Sequence, residues 1–153
     1  CSLGGAFGFP WYMSFLCLLK VICDFLIHAH CTRPRTFKKT PGLDDSLKDP
    51  NSDGADQPAY ISGAPRSLNE EYLVVVGLCT HLGCAPKFRP EVGAADLGGD
   101  SWLGGFFCPC HGSKFDLAGR VYKGVPAADN LIIPPYSFEG DNVLVIGVDT
   151  EVA

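Results

Sequence analysis

The sequence lacks any basic stripe interleaved with aromatic residues, and its 153 residues carry a formal net charge of −5. Nucleic-acid binding therefore has little support. An acidic surface suits a basic redox partner, although a charge this modest serves solubility equally well. Long apolar runs are also missing, apart from residues 7–27. The four early cysteines, Cys1, Cys17, Cys23 and Cys31, lack metal-ligand spacing and read as inert apolar residues. His28 and His30 form an H-A-H pair without further ligands nearby, and are read as incidental. Gly and Pro, by contrast, are abundant at 18 and 12. Together with short strand-like runs separated by turns, they favour an all-β domain. The length allows one ordinary domain with a short appendage.

Pro10 is placed to open a helix, and residues 10–29 are long enough to cross a hydrocarbon core of about 30 Å. Lys20 and Asp24 fall near its middle. Each costs roughly 2.5–3.5 kcal/mol there, against roughly 0.3–0.6 kcal/mol gained per Leu, Ile, Phe or Val. Nine such residues lie between positions 15 and 27, so the sum is near zero or unfavourable. Pairing of Lys20 with Asp24 on one helix face softens this without reversing it. Arg33, Arg35, Lys38 and Lys39 follow the stretch and no basic residue precedes it, which would put its C-terminal side in the cytoplasm. Residues 1–40 thus form an uncertain N-terminal segment with a marginal apolar helix.

Residues 41–70 turn polar, with Pro41, Pro50, Pro58 and many Asp, Ser and Gly, and read as a surface segment or linker. Residues 71–153 carry the domain. The run EYLVVVGL (71–78) is continuous and β-branched, as a buried strand would be. Residues 85–101, rich in Gly, Pro and Ala, read as an excursion. WLGGFF (102–107) is a second apolar strand whose aromatics belong to the core. Further short strands are expected within 115–122, 131–133 and 142–148, the last after a turn at Gly140, Asp141 and Asn142.

Two short loops, CTHLGC (79–84) and CPCHGSKFD (108–116), concentrate the chemistry. Each offers one Cys and one His, as C-x-H in the first and C-x-x-H in the second, and each has a further Cys, Cys84 and Cys110. Two thiolates and two imidazoles on facing turns suit a [2Fe–2S] centre with Cys on one iron and His on the other. Gly83 and Gly112 let the turns tighten so that backbone N–H groups can face the sulfides. A structural zinc site uses the same residue types, but usually groups like ligands as C-x₂₋₄-C and H-x₃₋₅-H. Four buried residues with two disulfides would leave both histidines unexplained.

These loops, with GRVYKGVPAADNLIIPPY (119–136), resemble the Rieske iron–sulfur subunits of proteobacterial ubiquinol–cytochrome c reductase. The resemblance runs from about Pro41 onward and is most specific between Tyr72 and Tyr136. It implies a Rieske-type antiparallel β domain with a small cluster-binding subdomain and one [2Fe–2S] cluster per chain. Cys79 and Cys108 would hold the inner iron, and His81 and His111 the outer one. Cys84 and Cys110 would form the disulfide that ties the loops together. That pair is usually lacking in Rieske ferredoxins and ring-hydroxylating oxygenases. The 26 residues between His81 and Cys108 match proteobacterial rather than mitochondrial members.

By the same resemblance, Leu82 is the apolar residue between the ligand loop and solvent, and GVPA (124–127) is the third loop covering the cluster. Ala128 stands where relatives often have a second proline, so the cover is less rigid on paper. Ser113 would donate a hydrogen bond to a bridging sulfide, while Phe115 replaces a tyrosine whose hydroxyl bonds a ligand cysteine in many relatives. The implied function is high-potential electron transfer from quinol to a c-type cytochrome, with His111 facing quinol and then haem, and His81 beside it. The implied partners are cytochrome b and cytochrome c-type subunits in a membrane-associated complex. The implied place is the bacterial inner membrane, with the cluster on its periplasmic side. Family members also have an N-terminal anchor, a hinge and commonly a twin-arginine signal. Residues 1–40 show no such signal and little room for a hinge, so they are expected not to be the family's native N-terminus. Two other functions share the loops: the small Rieske subunit of a molybdenum enzyme such as arsenite oxidase, and a soluble ferredoxin-like carrier. The third loop and the two extra cysteines argue against them.

Overall fold

The computed structural model describes residues 29–32, 42–61, 65–69, 72–140 and 143–147, with backbone alone for 29–32. The apolar stretch at 7–27, His28 and the basic flank lie outside these residues. Among the described residues, no helix is long and apolar enough to cross a membrane.

The all-β expectation holds: the described regular elements are strands and single 3₁₀ turns. Among the described residues, seven strands form three antiparallel sheets. The first pairs β1 (Ala29–Thr32) with β2 (Leu73–Val76), from Ala29 opposite Val76 to Thr32 opposite Leu73. The second has the order β3 (Lys87–Arg89), β4 (Gly105–Phe107), β5 (Lys114–Phe115). The third is the hairpin of β6 (Tyr136–Glu139) and β7 (Val143–Ile146). Leu73, Val74 and Val75 are all buried. Both faces of β2 are therefore covered, which is why its sequence is a continuous apolar run without alternation. They share one core with Phe106, Phe115, Val121, Leu131, Ile133 and Tyr136.

The middle sheet positions the site. Lys87, at the start of β3, lies opposite Phe107, at the end of β4. The chain leaving the first loop and the chain entering the second therefore run side by side at one end of the ladder. β4 then returns as β5, with Phe106 opposite Phe115, so the second loop closes on the same sheet. This return is tight. Gly105 has φ +151°, and a Cβ there would lie 2.0 Å from the Phe115 carbonyl oxygen. Only glycine fits.

Several elements differ from the sequence expectation. The excursion at 85–101 contains β3 and two 3₁₀ turns, Ala95–Leu97 and Gly99–Ser101. Lys-Phe-Arg has little strand signal of its own, and pairing to β4 makes it a strand. Residues 115–122 do not continue as one strand, because Asp116 turns the chain. Its carboxylate accepts from the Ala118 N–H (3.0 Å) and the Arg120 N–H (2.7 Å). Only single bridges, Phe115 to Val121 and Leu47 to Tyr122, follow. Residues 131–133 are extended but join no ladder: Leu131 N–H bonds Gly119 and Ile133 N–H bonds Asp56, while the Ile132 carbonyl accepts from Val76.

Two buried cations knit the irregular segments together. Arg120 forms a two-pronged pair with Asp116, at 2.8 Å from Nε and 2.7 Å from Nη2. Burial pushes the Asp116 carboxyl up, and Arg120 pulls it back. Breaking such a buried pair costs roughly 3–5 kcal/mol. Arg66 donates to Gln57 and to the carbonyls of Ala118, Gly119 and Leu131. Burial lowers its guanidinium to about 10, against the opposing pull of Asp116 and Asp49. The polar segment before the domain is fastened too. Leu47 is buried, and Arg120 reaches back to the Asp44 carboxylate and the Pro50 carbonyl. Asn130 adds bonds to the Asp49 carbonyl and the Ser52 hydroxyl.

Candidate metal centre

The two loops have the same backbone. In the first, Cys79 N–H donates to the Cys84 carbonyl (2.7 Å) and Gly83 N–H donates to the Cys79 carbonyl (2.9 Å). In the second, Cys108 N–H donates to Ser113 (2.8 Å) and Gly112 N–H to Cys108 (3.0 Å). Gly83 and Gly112 occupy the equivalent position, both at φ +78°. This left-handed conformation is open to glycine and costly for most other residues.

The frame sorts the candidate ligands by depth. Cys79 and Cys108 are free thiols, 3% and 2% exposed. His81 is half-buried and His111 exposed. Their rings meet edge to face at 4.8 Å between centroids. The Nδ1 of His81 is buried and has no hydrogen-bond partner among the described residues. Burial pushes the Cys79 thiol up; the His81 backbone N–H counters this, Cys108 adds to it, and the Ser113 hydroxyl favours the thiolate. A buried thiol and an orphaned imidazole nitrogen are both relieved by a cation, which displaces the thiol proton and takes up the lone pair. Two buried sulfurs behind two outer imidazoles fit a [2Fe–2S] cluster with an inner and an outer iron.

Cys84 and Cys110 are joined as a disulfide, with Cα atoms 6.6 Å apart. The Cys108 sulfur lies within 4.8 Å of both disulfide sulfurs. Those two sulfurs are already bonded to each other, so this trio is not a ligand set. Leu82 is 70% exposed at the tip of the first loop.

The third loop lies against both others. Ala127 is fully buried, and its N–H donates to the Ser113 hydroxyl oxygen at 3.0 Å. Thr80, between the two candidate ligands of the first loop, donates to the Asp129 carbonyl at 2.6 Å. Lys48 donates to the carbonyls of Val125 (2.9 Å) and Ala127 (2.6 Å). Thr80 and Lys48 carry no signal in the sequence, since a threonine in a turn and a lysine in a polar segment are ordinary. Phe115, where relatives often have tyrosine, is fully buried in the core.

Residues 53–137 match the family model described as the Rieske [2Fe-2S] domain. The chain is 55% identical over 116 residues to the ubiquinol-cytochrome c reductase iron-sulfur subunit of Allochromatium vinosum, covering 76% of this chain and 56% of that protein. It is 43% identical over 113 residues to the mitochondrial cytochrome b-c1 complex subunit Rieske of Saccharomyces cerevisiae, covering 73% and 43%. The chain thus spans about half the length of these relatives. Among solved structures, the cyanobacterial plasma membrane Rieske protein PetC3 from Synechocystis aligns with a TM-score of 0.38 and 28% identity, over 56% of this chain and 73% of that one. The family match covers more than half of the chain, and its cofactor is a [2Fe–2S] cluster rather than zinc. The chain belongs to the Rieske [2Fe–2S] family.

Proposed function

We propose that this chain is the high-potential electron-transfer subunit of a quinol:cytochrome c oxidoreductase, with Cys79 and Cys108 on the inner iron and His81 and His111 on the outer. The observation that carries this is the gradient of depth across the four residues. The thiols are buried, His81 is half-buried, and His111 stands exposed at the loop tip. The bound cluster supplies a one-electron acceptor. The protein supplies everything around it. His111 offers an accessible imidazole to hydrogen-bond quinol and then to approach a c-type haem. Leu82 gives the tip an apolar surface for the membrane-bound partner, cytochrome b. Ser113 and backbone N–H groups favour the added electron by donating to sulfur. The disulfide keeps the two ligand loops together while the tip moves between partners. The relatives' names, a ubiquinol-cytochrome c reductase iron-sulfur subunit and a cytochrome b-c1 complex subunit Rieske, support cytochrome partners. On this reading the complex lies in a bacterial inner membrane, with the cluster on its periplasmic side.

Protein-film voltammetry on the cluster-loaded chain tests this. Rieske centres span roughly −150 to +300 mV. A midpoint in the upper half of that range is expected for a partner of quinol. A midpoint near the lower limit would overturn the reading in favour of a ferredoxin-like carrier.

A further inference from the structure

Lys48 sits in the segment preceding the family-matched residues 53–137, far in sequence from every ligand loop. Its backbone is nevertheless fixed on the domain. Lys48 N–H donates to the Val121 carbonyl at 3.0 Å, and Lys123 N–H donates to Ser46 at 2.8 Å. Leu47 beside it is buried and bridges Tyr122. From this footing, the ammonium donates to the carbonyls of Val125 and Ala127. Those carbonyls flank one peptide unit, the one joining Pro126 to Ala127. Holding the planes on either side fixes the plane between them, and the N–H of that plane donates to Ser113 Oγ. With one lone pair engaged there, the Ser113 hydroxyl keeps its proton to donate, and its influence on Cys79 favours the thiolate.

We propose that Lys48 is a positioning residue for the iron–sulfur centre, clamping the third loop and thereby fixing the Ser113 hydroxyl beside the centre. This rests on the ligand reading above. The chain of contacts runs Lys48, Ala127, Ser113, and each link hands a donor to the next acceptor. The clamp also supplies the stiffness that Ala128, in place of a second proline, does not. Lys48 itself is exposed, so its loss leaves the core intact.

The test uses the full chain with its cluster, comparing wild type, Lys48→Met, Lys48→Arg, Ser113→Ala and the Lys48→Met, Ser113→Ala pair. Iron and acid-labile sulfide are measured first, and Lys48→Met should retain both in full. Its midpoint should fall, Lys48→Arg should restore it, and Lys48→Met should add nothing once Ser113 is Ala. A full additional shift in the Ser113→Ala background would mean that the lysine acts only through its charge, and the clamp would be wrong. So would an unchanged midpoint in Lys48→Met. Amide exchange at Ala127 gives a readout that does not depend on the cluster. It should quicken roughly tenfold in Lys48→Met, as losing a charged hydrogen bond implies. Unchanged exchange would overturn the clamp. Exchange that quickens in a chain whose iron survives Cys79→Ser would instead leave the clamp standing and refute the ligand assignment.

Discussion

The loops at 79–84 and 108–113 superimpose in their bonding, position by position: an N–H from the first residue to the sixth, and from the fifth, a glycine, back to the first. Their side chains do not follow suit. Histidine is third in one loop and fourth in the other, and the third place of the second loop is taken by Cys110. The sixth residue crosses over in both cases. Cys84 is bonded to the second loop through the disulfide, and Ser113 favours the thiolate of Cys79 in the first. One backbone template, used twice, thus gives a near-symmetric cradle. The crossing residues bind the halves to each other, and the shifted histidine carries His111 into solvent while His81 stays half-buried.

The comparison breaks most severely when the covalent crossing is removed. Replacing Cys84 and Cys110 together with Ala reopens a link that spans 26 positions. Closing a loop of that size stabilises by about 3–4 kcal/mol. Denaturant unfolding should show a loss of that order. The four proposed ligands remain, so iron should still bind but be released faster to a chelator. Mass mapping that found both thiols free in the native protein would contradict the crossing itself.

A smaller effect sharpens the second crossing. Ser113 offers a hydroxyl that favours the Cys79 thiolate, and Phe115 offers none. Phe115→Tyr should add a donor toward the cluster and raise the midpoint, since donors to sulfur favour the reduced state. The site is fully buried, so the variant must keep its full iron content for the comparison to count. An unchanged midpoint with iron intact would mean that the new hydroxyl finds no sulfur.

The chemistry was legible because it is local. C-x-H, C-x-x-H and the two glycines lie within six-residue windows, and their meaning does not depend on what packs around them. The continuous run of β2 was legible for the same reason, since both of its faces are buried. What escaped was set by partners distant in sequence. β3 is a strand because β4 lies beside it. Residues 131–133 look like a strand but spend their backbone bonds on Gly119, Asp56 and Val76 separately. Arg66 and Lys48 carry no signal in the sequence, yet one is buried among carbonyls and the other spans 77 and 79 positions to bond the third loop. No periodicity encodes such contacts.

The assignment of two buried thiols and two outer imidazoles to a single binuclear centre is tested most directly by one measurement: iron, acid-labile sulfide and the EPR spectrum of the reduced chain, in wild type and in Cys79→Ser and His111→Ala. Two irons and two sulfides per wild-type chain are expected, with an average g below the free-electron value, as mixed sulfur and nitrogen ligation gives. Both variants should lose the signal and the metal. Stoichiometric zinc without sulfide, or a full complement of iron with an unaltered spectrum in either variant, would contradict it.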